Sequence, residues 1–204
     1  MKFNRTFADN VNKLDQAFEK IGGCYRDQIA LIEELQKLDM KNMATANVRV
    51  LQELNGCMPQ LQQFYEYLQS GRFRDNLTCI KPEYKYGSSR IDFYCESNEE
   101  KYLIEVKGVT LENDGVVSFP DAPTERGIKH IEELIKAKEQ GYNTVIAFVI
   151  QMDNVKYFTP NNVTHKAFGD ALIKAYNSGV EILCLDCNVT EESLKIKDKV
   201  DYKL

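Results

Sequence analysis

The sequence lacks the features that mark membrane-spanning, secreted and zinc-binding proteins. Its longest apolar run, residues 145–150, is far too short to cross a bilayer. The first ten residues contain no apolar core of a secretory signal, so we expect a cytoplasmic protein. There are only two histidines and a single CxxC pair, Cys184 and Cys187, which are too few clustered ligands for a typical zinc site.

Disulfide frameworks are also not expected. The six cysteines are scattered and lie mostly in apolar runs, whereas the cysteines of small secreted scaffolds are framed by turns. We therefore expect reduced, buried thiols. Cys184 and Cys187 fall in a strand-like run, where residues three apart point to opposite faces, so they are not expected to share a metal ion.

An excess of positive charge is missing too. The chain has 26 Lys and Arg against 31 Asp and Glu, which gives a net charge of −5. The net charge therefore argues against binding to nucleic acid through bulk charge alone, and it does not exclude a local basic patch. The 204 residues, 43% hydrophobic and 28% charged, fit one domain with an appendage or two small domains.

Two regions differ in their pattern. Residues 1–58 predict a helical region, because apolar residues recur at helical spacing between positions 7 and 38 and again over 47–54. One more helix is expected from Pro59 to about Ser70. The remaining chain alternates strands and helices in the order β-β-β-α-β-α-β. Residues 59–204 are therefore predicted to form an α/β domain, a mixed sheet flanked by helices.

One predicted helix starts within residues 119–127 and ends at Gly141. We expect Asp121 as its N-cap and Pro123 in its first turn. Its apolar residues recur at helical spacing and predict a buried stripe of Ile128, Ile131, Leu134 and Ile135. The run that follows, 143–150, is continuously apolar from Val145 to Ile150, which is typical of a strand covered on both faces.

Residues 90–107, RIDFYCESNEEKYLIEVK, predict a β-hairpin with a short polar turn. If Glu96 faces Lys101, antiparallel pairing puts Asp92 directly across from Glu105. This register follows from the chemistry of the turn, and a slip of one residue would exchange the two faces.

The same register puts Arg90 opposite Lys107, so like charges face each other twice. Each such pair costs a few tenths to about 1 kcal/mol, and a hairpin selected only for stability would pair opposite signs. Two interpretations stay open: a solvated lattice of diagonal salt bridges, or a binding site. Alternation assigns one face to Arg90, Asp92, Tyr94, Leu103, Glu105 and Lys107, and the other to Ile91, Phe93, Cys95, Tyr102, Ile104 and Val106.

The binding-site interpretation is a divalent-metal centre. Asp92 and Glu105 on facing strands suit Mg²⁺ or Mn²⁺, which bind one or two carboxylates together with water and substrate phosphate. Lys107 lies on the same face, where it could orient a water molecule or offset negative charge on a phosphate. The pattern favours metal-assisted hydrolysis of phosphodiester bonds.

Four segments carry a wider resemblance: 81–93 (KPEYKYGSSRIDF), 104–111 (IEVKGVTL), 119–130 (FPDAPTERGIKH) and 158–160 (FTP). Through them, residues 60–204 resemble the sugar fermentation stimulation protein A (SfsA) family. Asp92 with Glu105-Val-Lys107 is similar to the PD-(D/E)XK nuclease signature. The resemblance implies a restriction-endonuclease-like core and a Mg²⁺-dependent nuclease acting on DNA, with RNA as a second candidate. It also implies an association with the regulation of sugar metabolism.

The resemblance assigns roles to single residues. It implies that Asp92 and Glu105 are metal ligands, that Lys107 is the catalytic lysine, and that Glu125 is a further acidic catalytic residue. The residues implied to contact nucleic acid are Lys85, Arg90, Arg126, Lys129 and His130. A purely structural interpretation stays open for Arg126 and Lys129, as a solvated helix face, and for His130, as a structural histidine.

Residues 1–58 depart from the family pattern, which begins with a small β-barrel of OB type. The apolar stripes expected here fit a core or a helix–helix contact, and homodimerisation through these helices is one option. Two rival functions therefore stay open beside the nuclease. One is a non-catalytic nucleic-acid-binding regulator of sugar metabolism genes, and the other is a protein-interaction module that uses the N-terminal helices.

Overall fold

The computed structural model describes residues 59–204, except positions 88, 99, 191 and 192. The helical region predicted for residues 1–58 lies outside the described residues. None of the described helices is long and apolar enough to span a membrane. In chain order the described elements are α1 (Pro59–Gln69), β1 (Leu77–Tyr86), β2 (Ser89–Ser97), β3 (Glu100–Val109), β4 (Leu111–Asn113), β5 (Val116–Phe119), α2 (Glu125–Glu139), β6 (Asn143–Ile150), β7 (Tyr157–Pro160), α3 (Asn162–Asn177), β8 (Glu181–Val189) and β9 (Leu194–Lys199).

Six strands form one mixed sheet in the order β1-β2-β3-β6-β8-β9. Its central strands β3, β6 and β8 are parallel, and antiparallel strands extend the sheet on both sides. Strands β4, β5 and β7 form a second, smaller sheet. The predicted mixed α/β architecture, a large mixed sheet with flanking helices, is confirmed.

Two hydrophobic clusters cover the two faces of the large sheet. In the α1 cluster, Phe64 packs with residues such as Phe93. In the α2–α3 cluster, Leu134 and Phe168 pack with residues such as Leu103. Strand β6 is buried from its second residue onward and contributes alternate residues to each cluster. Its continuous apolar sequence follows from this, because a strand covered on both faces has no solvent side.

Helix α2 starts later than predicted. Its N-cap is Thr124, whose Oγ1 accepts a hydrogen bond from the Gly127 N–H at 3.0 Å. The prediction of Asp121 as N-cap is wrong, because the residue before a proline avoids the helical conformation and Pro123 therefore delays the helix. The predicted stripe is buried except for Ile128, which is half-buried.

Four of the six cysteines lie in the described residues, and all four are free thiols. Three of them are buried, and Cys79 is half-buried. Cys184 packs in the α2–α3 cluster and Cys187 in the α1 cluster. The CxxC cysteines therefore point to opposite faces of the sheet, as predicted.

Candidate functional site

Strands β2 and β3 form the predicted hairpin in the predicted register, but their pairing is shorter than expected. It runs from the turn to Phe93 opposite Ile104. The prediction that Asp92 pairs directly with Glu105 is therefore wrong. Beyond the last pair, Asp92 Oδ2 instead accepts a hydrogen bond from the Val106 N–H at 2.7 Å. A carboxylate thus takes the place of a strand carbonyl where the two strands part.

The alternation of side chains between the two faces of the sheet is also broken in β2 at Asp92. Phe93 packs in the α1 cluster, but Ile91 packs in the α2–α3 cluster, where its β1 partner Tyr84 also lies. The prediction that Ile91 and Phe93 share a face is wrong. At the same level of β1, Glu83 has a φ of 53°, outside the extended region, so both strands are irregular at this level.

Glu105 is the buried centre of the site. Its side chain is 2% exposed, and Oε1 accepts hydrogen bonds from Lys107 Nζ at 2.6 Å and from His130 Nδ1. Its other oxygen, Oε2, is buried without a hydrogen-bond partner among the described residues. Buried polar atoms are nearly always satisfied, so an orphan carboxylate oxygen marks a position for a bound group.

The two carboxylates respond in opposite ways to their surroundings. Burial, and then the negative charge of Glu105, raise the pKa of Asp92 well above its ordinary value, although Lys107 opposes this shift. Burial also acts to raise the pKa of Glu105, but the contacts with His130 and Lys107 outweigh burial and lower it. Glu105 therefore carries the negative charge, and Asp92 keeps its proton to a higher pH than an exposed aspartate.

Glu105 could hold a small divalent cation, with Asp92 as the neighbouring carboxyl group. Mg²⁺ and Mn²⁺ bind one or two carboxylates and complete their coordination with water and phosphate oxygens. Glu105 Oε2 offers the unsatisfied oxygen that such an ion needs. Within the part of the chain that the structure describes, no group of three or more His, Cys, Asp or Glu side chains is arranged to hold a metal ion. A cation at this site would therefore depend on water and substrate for its remaining ligands.

His130 lies inside the site. Its side chain is 7% exposed, Nδ1 contacts Glu105 Oε1, and Nε2 accepts a long hydrogen bond from Arg126 Nε at 3.5 Å. Because a guanidinium has donors but no acceptor, Nε2 is assigned as the acceptor and Nδ1 as the N–H that donates to Glu105. The structure therefore brings His130 to the buried carboxylate, away from the exposed side of α2.

Glu125 makes its contacts elsewhere. Its side chain is 86% exposed, and Oε1 lies 3.3 Å from His165 Nε2. His165 Nδ1 in turn accepts a hydrogen bond from the Thr124 N–H at 3.2 Å. These contacts join the start of α2 to α3, and they do not bring Glu125 to Asp92 or Glu105. The catalytic role of Glu125 stays a prediction.

Two of the three basic residues of the β1–β2 hairpin, Lys85 and Arg90, are exposed and adjacent. Lys85 and Arg90 lie directly opposite each other, and the Arg90 guanidinium is 4.0 Å from Glu83 Oε2. Since Ile91 faces α2 and α3, alternation turns Arg90 to the other face. The predicted position of Arg90 opposite Lys107 is therefore wrong, and its role in binding nucleic acid stays a prediction.

Glu133 was not predicted from the sequence. Glu133 is buried on α2, and its Oε1 lies 3.9 Å from Lys129 Nζ. Lys129 itself, like Arg126, is exposed on this helix. The Ser89 hydroxyl donates to the same oxygen at 2.5 Å, while Oε2 has no partner among the described residues. The spacing gave a hint, because Glu133 follows His130 by three residues and therefore lies on the same side of α2.

Comparisons with known proteins agree with these motifs. The family model "Sugar fermentation stimulation protein RE domain" matches residues 60–193. A sugar fermentation stimulation protein homolog of Desulfitobacterium hafniense strain Y51 is 54% identical over 141 residues, covering 69% of this chain and 61% of the relative. A homolog of Clostridium beijerinckii is 53% identical over 140 residues, covering 69% and 62%. The chain thus spans less than two thirds of the length of these relatives.

One solved structure has a similar fold. It is "The structure of Pyrococcus Furiosus SfsA in complex with Ca2+", with a TM-score of 0.63 and 23% sequence identity. The match covers 77% of this chain and 65% of that chain. At this level of identity, the similarity concerns the fold alone.

Proposed function

The chain belongs to the sugar fermentation stimulation protein (SfsA) family, and from that premise we propose that it is a metal-dependent nuclease of the PD-(D/E)XK type. Its restriction-endonuclease-like domain spans residues 59–204, and it hydrolyses phosphodiester bonds of DNA, with RNA as a second substrate candidate. The buried Glu105 carries the proposal, since Lys107 and His130 hold Oε1 while Oε2 has no partner among the described residues. A cytoplasmic location suits its reduced thiols.

The cofactor in this proposal is Mg²⁺ or Mn²⁺, held by Asp92 and Glu105. When bound, such an ion supplies Lewis-acid chemistry, which polarises a phosphate oxygen and makes a water molecule more acidic. Two observations support a divalent ion. The Glu105 oxygen is unsatisfied, and the related Pyrococcus furiosus protein is in complex with Ca²⁺, another divalent ion that prefers oxygen ligands.

The side chains of the chain itself perform distinct tasks. Glu105 is kept negatively charged by its contacts with His130 and Lys107. The Lys107 ammonium lies beside this carboxylate, where it orients the attacking water or offsets the negative charge that develops on the phosphate. The exposed cations contact the phosphate backbone, which gives affinity without reading sequence; they are Lys85, Arg90, Arg126 and Lys129.

A non-catalytic regulator explains the same groups less well. Asp92 and Glu105 repel the phosphates of nucleic acid, so a protein that only binds would gain from their replacement. The third function, an interaction module or homodimer built on the N-terminal helices, depends on residues 1–58, which lie outside the described residues. Both alternatives are outcomes that the following experiment can return.

The test uses the full chain with single-stranded DNA, double-stranded DNA and RNA, each with Mg²⁺, with Mn²⁺ and with a chelator. Glu105→Gln and Lys107→Ala are purified in parallel, with Glu132→Gln and Lys136→Ala on the exposed side of α2 as matched controls. We expect cation-dependent cleavage by wild type and by both controls. Cleavage should fall by about a hundredfold or more in the two site variants.

Two results would count against the enzyme. If wild type cuts no faster than the site variants on any of the three substrates, the nuclease proposal fails. If wild type binds nucleic acid without cutting it, the regulator is favoured. A stable homodimer in solution, with no heat of cation binding, would favour the interaction module.

A further inference from the structure

The two donors to Glu105 Oε1 differ in mobility and in their other tasks. Lys107 is an ammonium on a flexible chain with 16% exposure, and in the proposed reaction it must also serve water or phosphate. His130 comes from another element, α2, and its imidazole is 7% exposed. Lys107 is therefore able to move toward the substrate, whereas His130 is held in the interior.

The His130 ring is fixed by its surroundings. The next residue on α2, Ile131, is fully buried, and Leu134 one turn later is 1% exposed, so the backbone that carries the imidazole is held by the core. On the outer side, Arg126 Nε donates to Nε2 and thereby sets the tautomer with the proton on Nδ1. This N–H is directed at Glu105.

We propose that His130 is a positioning residue for Glu105. It keeps Oε1 hydrogen-bonded when Lys107 turns to the substrate, so that Oε2 stays directed at the cation. This inference rests on the metal site proposed above, and it gives His130 a different task from the nucleic-acid contact that the resemblance implies. Removal of a group that orients a metal ligand in this way typically weakens metal binding by about 10–100-fold.

The experiment measures binding of Mn²⁺ alone to the full chain by isothermal titration calorimetry. In His130→Asn, the amide nitrogen lies near the position of Nδ1 and can still donate to Glu105. In His130→Gln, the amide nitrogen reaches the position of Nε2 instead. We expect His130→Asn to bind like wild type and His130→Gln to bind about 10–100-fold more weakly. The matched control Lys136→Gln, on the exposed side of α2, should leave binding unchanged.

A second background sharpens the test. In Lys107→Ala, His130 is the remaining donor to Glu105 Oε1 among the described residues. The loss of affinity caused by His130→Gln should therefore be larger in Lys107→Ala than in the otherwise wild-type chain. An equal loss in both backgrounds would overturn the view that the two donors share one task.

The outcomes separate this inference from the metal site. Wild-type affinity in a folded His130→Gln, with binding lost in Glu105→Gln, would overturn the positioning role and leave the metal site standing. Equal binding by wild type and Glu105→Gln would remove the metal site itself, and the inference with it. If His130→Gln does not fold, His130→Leu tests the same point, because it fills a similar volume without a donor to Glu105; unchanged affinity there would overturn the proposal.

Discussion

At the scale of single residues, Asp92 makes stability depend on pH. Its folded-state pKa lies well above the ordinary value of 3.8, because of burial and the nearby Glu105 charge. A carboxyl group shifted in this direction stabilises the fold fully below its unfolded-state pKa, and the contribution is lost as pH rises through the folded-state pKa. Asparagine does not titrate, so Asp92→Asn should gain stability relative to wild type as pH rises above 3.8.

Urea unfolding of wild type and of Asp92→Asn at a series of pH values measures this difference in stability. Asp153→Asn, at an exposed position, is the control and should follow the wild type throughout. A difference between Asp92→Asn and wild type that stays constant with pH would contradict the raised pKa of Asp92.

Part of the site could be predicted from the sequence because its information is local. The register of the hairpin follows from its turn and its alternation, which bring Asp92, Glu105 and Lys107 to neighbouring strands. His130 could not be assigned to Glu105 in this way, since 25 residues separate them and their contact depends on how α2 packs. The bond from the Val106 amide to Asp92 also escaped prediction, because alternation does not tell where two strands part.

At the scale of elements, two side-chain contacts tie the β1–β2 hairpin to α2 and the segment that follows it. Ser89 Oγ donates to the buried Glu133 Oε1 at 2.5 Å, and Tyr86 Oη donates to Gln140 Oε1 at 2.8 Å. In Ser89→Ala, the buried carboxylate loses this donor. We expect a loss of about 1–3 kcal/mol in the free energy of unfolding.

Denaturant unfolding compares Ser89→Ala with Ser178→Ala, which removes the hydroxyl of an exposed serine. The Ser178 variant should stay within about 0.5 kcal/mol of wild type. Equal stability of the two variants would show that Ser89 does not hold the hairpin against α2.

The large sheet also determines which thiols react. Burial raises the pKa of Cys95 to about 12, and burial together with Asp186 raises that of Cys187 to about 12. The thiolate is the reactive form, and Cys79 is only half-buried. At pH 8 we therefore expect alkylation of Cys79 to be faster than that of Cys95 or Cys187, as followed by mass spectrometry of peptides.

A Cys79→Ser variant is the control for this measurement. It should abolish modification of the peptide that contains position 79 and leave the slow alkylation of Cys95 and Cys187 unchanged. Rapid modification of Cys95 in the folded chain would contradict its place in the core.

The elements themselves were largely predictable, and the exceptions have local causes. Strand β6 is recognisable because six of its eight residues are buried and apolar. The start of α2 was misplaced because both Asp121 and Thr124 are good N-cap residues, and the choice between them depends on Pro123. The change of face at Ile91 lies next to the positive φ of Glu83 on the neighbouring strand, which alternation along β2 does not reveal.

At the scale of the whole molecule, the net charge of −5 means that any affinity for nucleic acid comes from local cations. Lys85 and Arg90 are exposed and face each other across two strands, which makes them candidate phosphate contacts. We expect Lys85→Ala or Arg90→Ala to weaken DNA binding regardless of sequence. The slope of log K against log salt should become shallower by about 0.7–0.9 for each lost phosphate contact.

Fluorescence anisotropy at several salt concentrations measures the slope, with every variant built on Glu105→Gln to prevent cleavage. Lys195→Ala is the matched control, since Lys195 is exposed on β9 at the opposite edge of the sheet. A slope that is unchanged in both hairpin variants would mean that neither cation contacts phosphate.

The parting of β2 and β3 has one more consequence. Most amide protons in a sheet are protected from exchange by a hydrogen bond to a carbonyl of the neighbouring strand, and this partner does not change when a ligand binds. The Val106 proton is shielded by the Asp92 carboxylate instead. In an NMR spectrum of the isotopically labelled chain, the resonance of the Val106 amide should therefore shift when a cation binds beside Asp92, so this amide reports occupancy of the site even when no nucleic acid is cut.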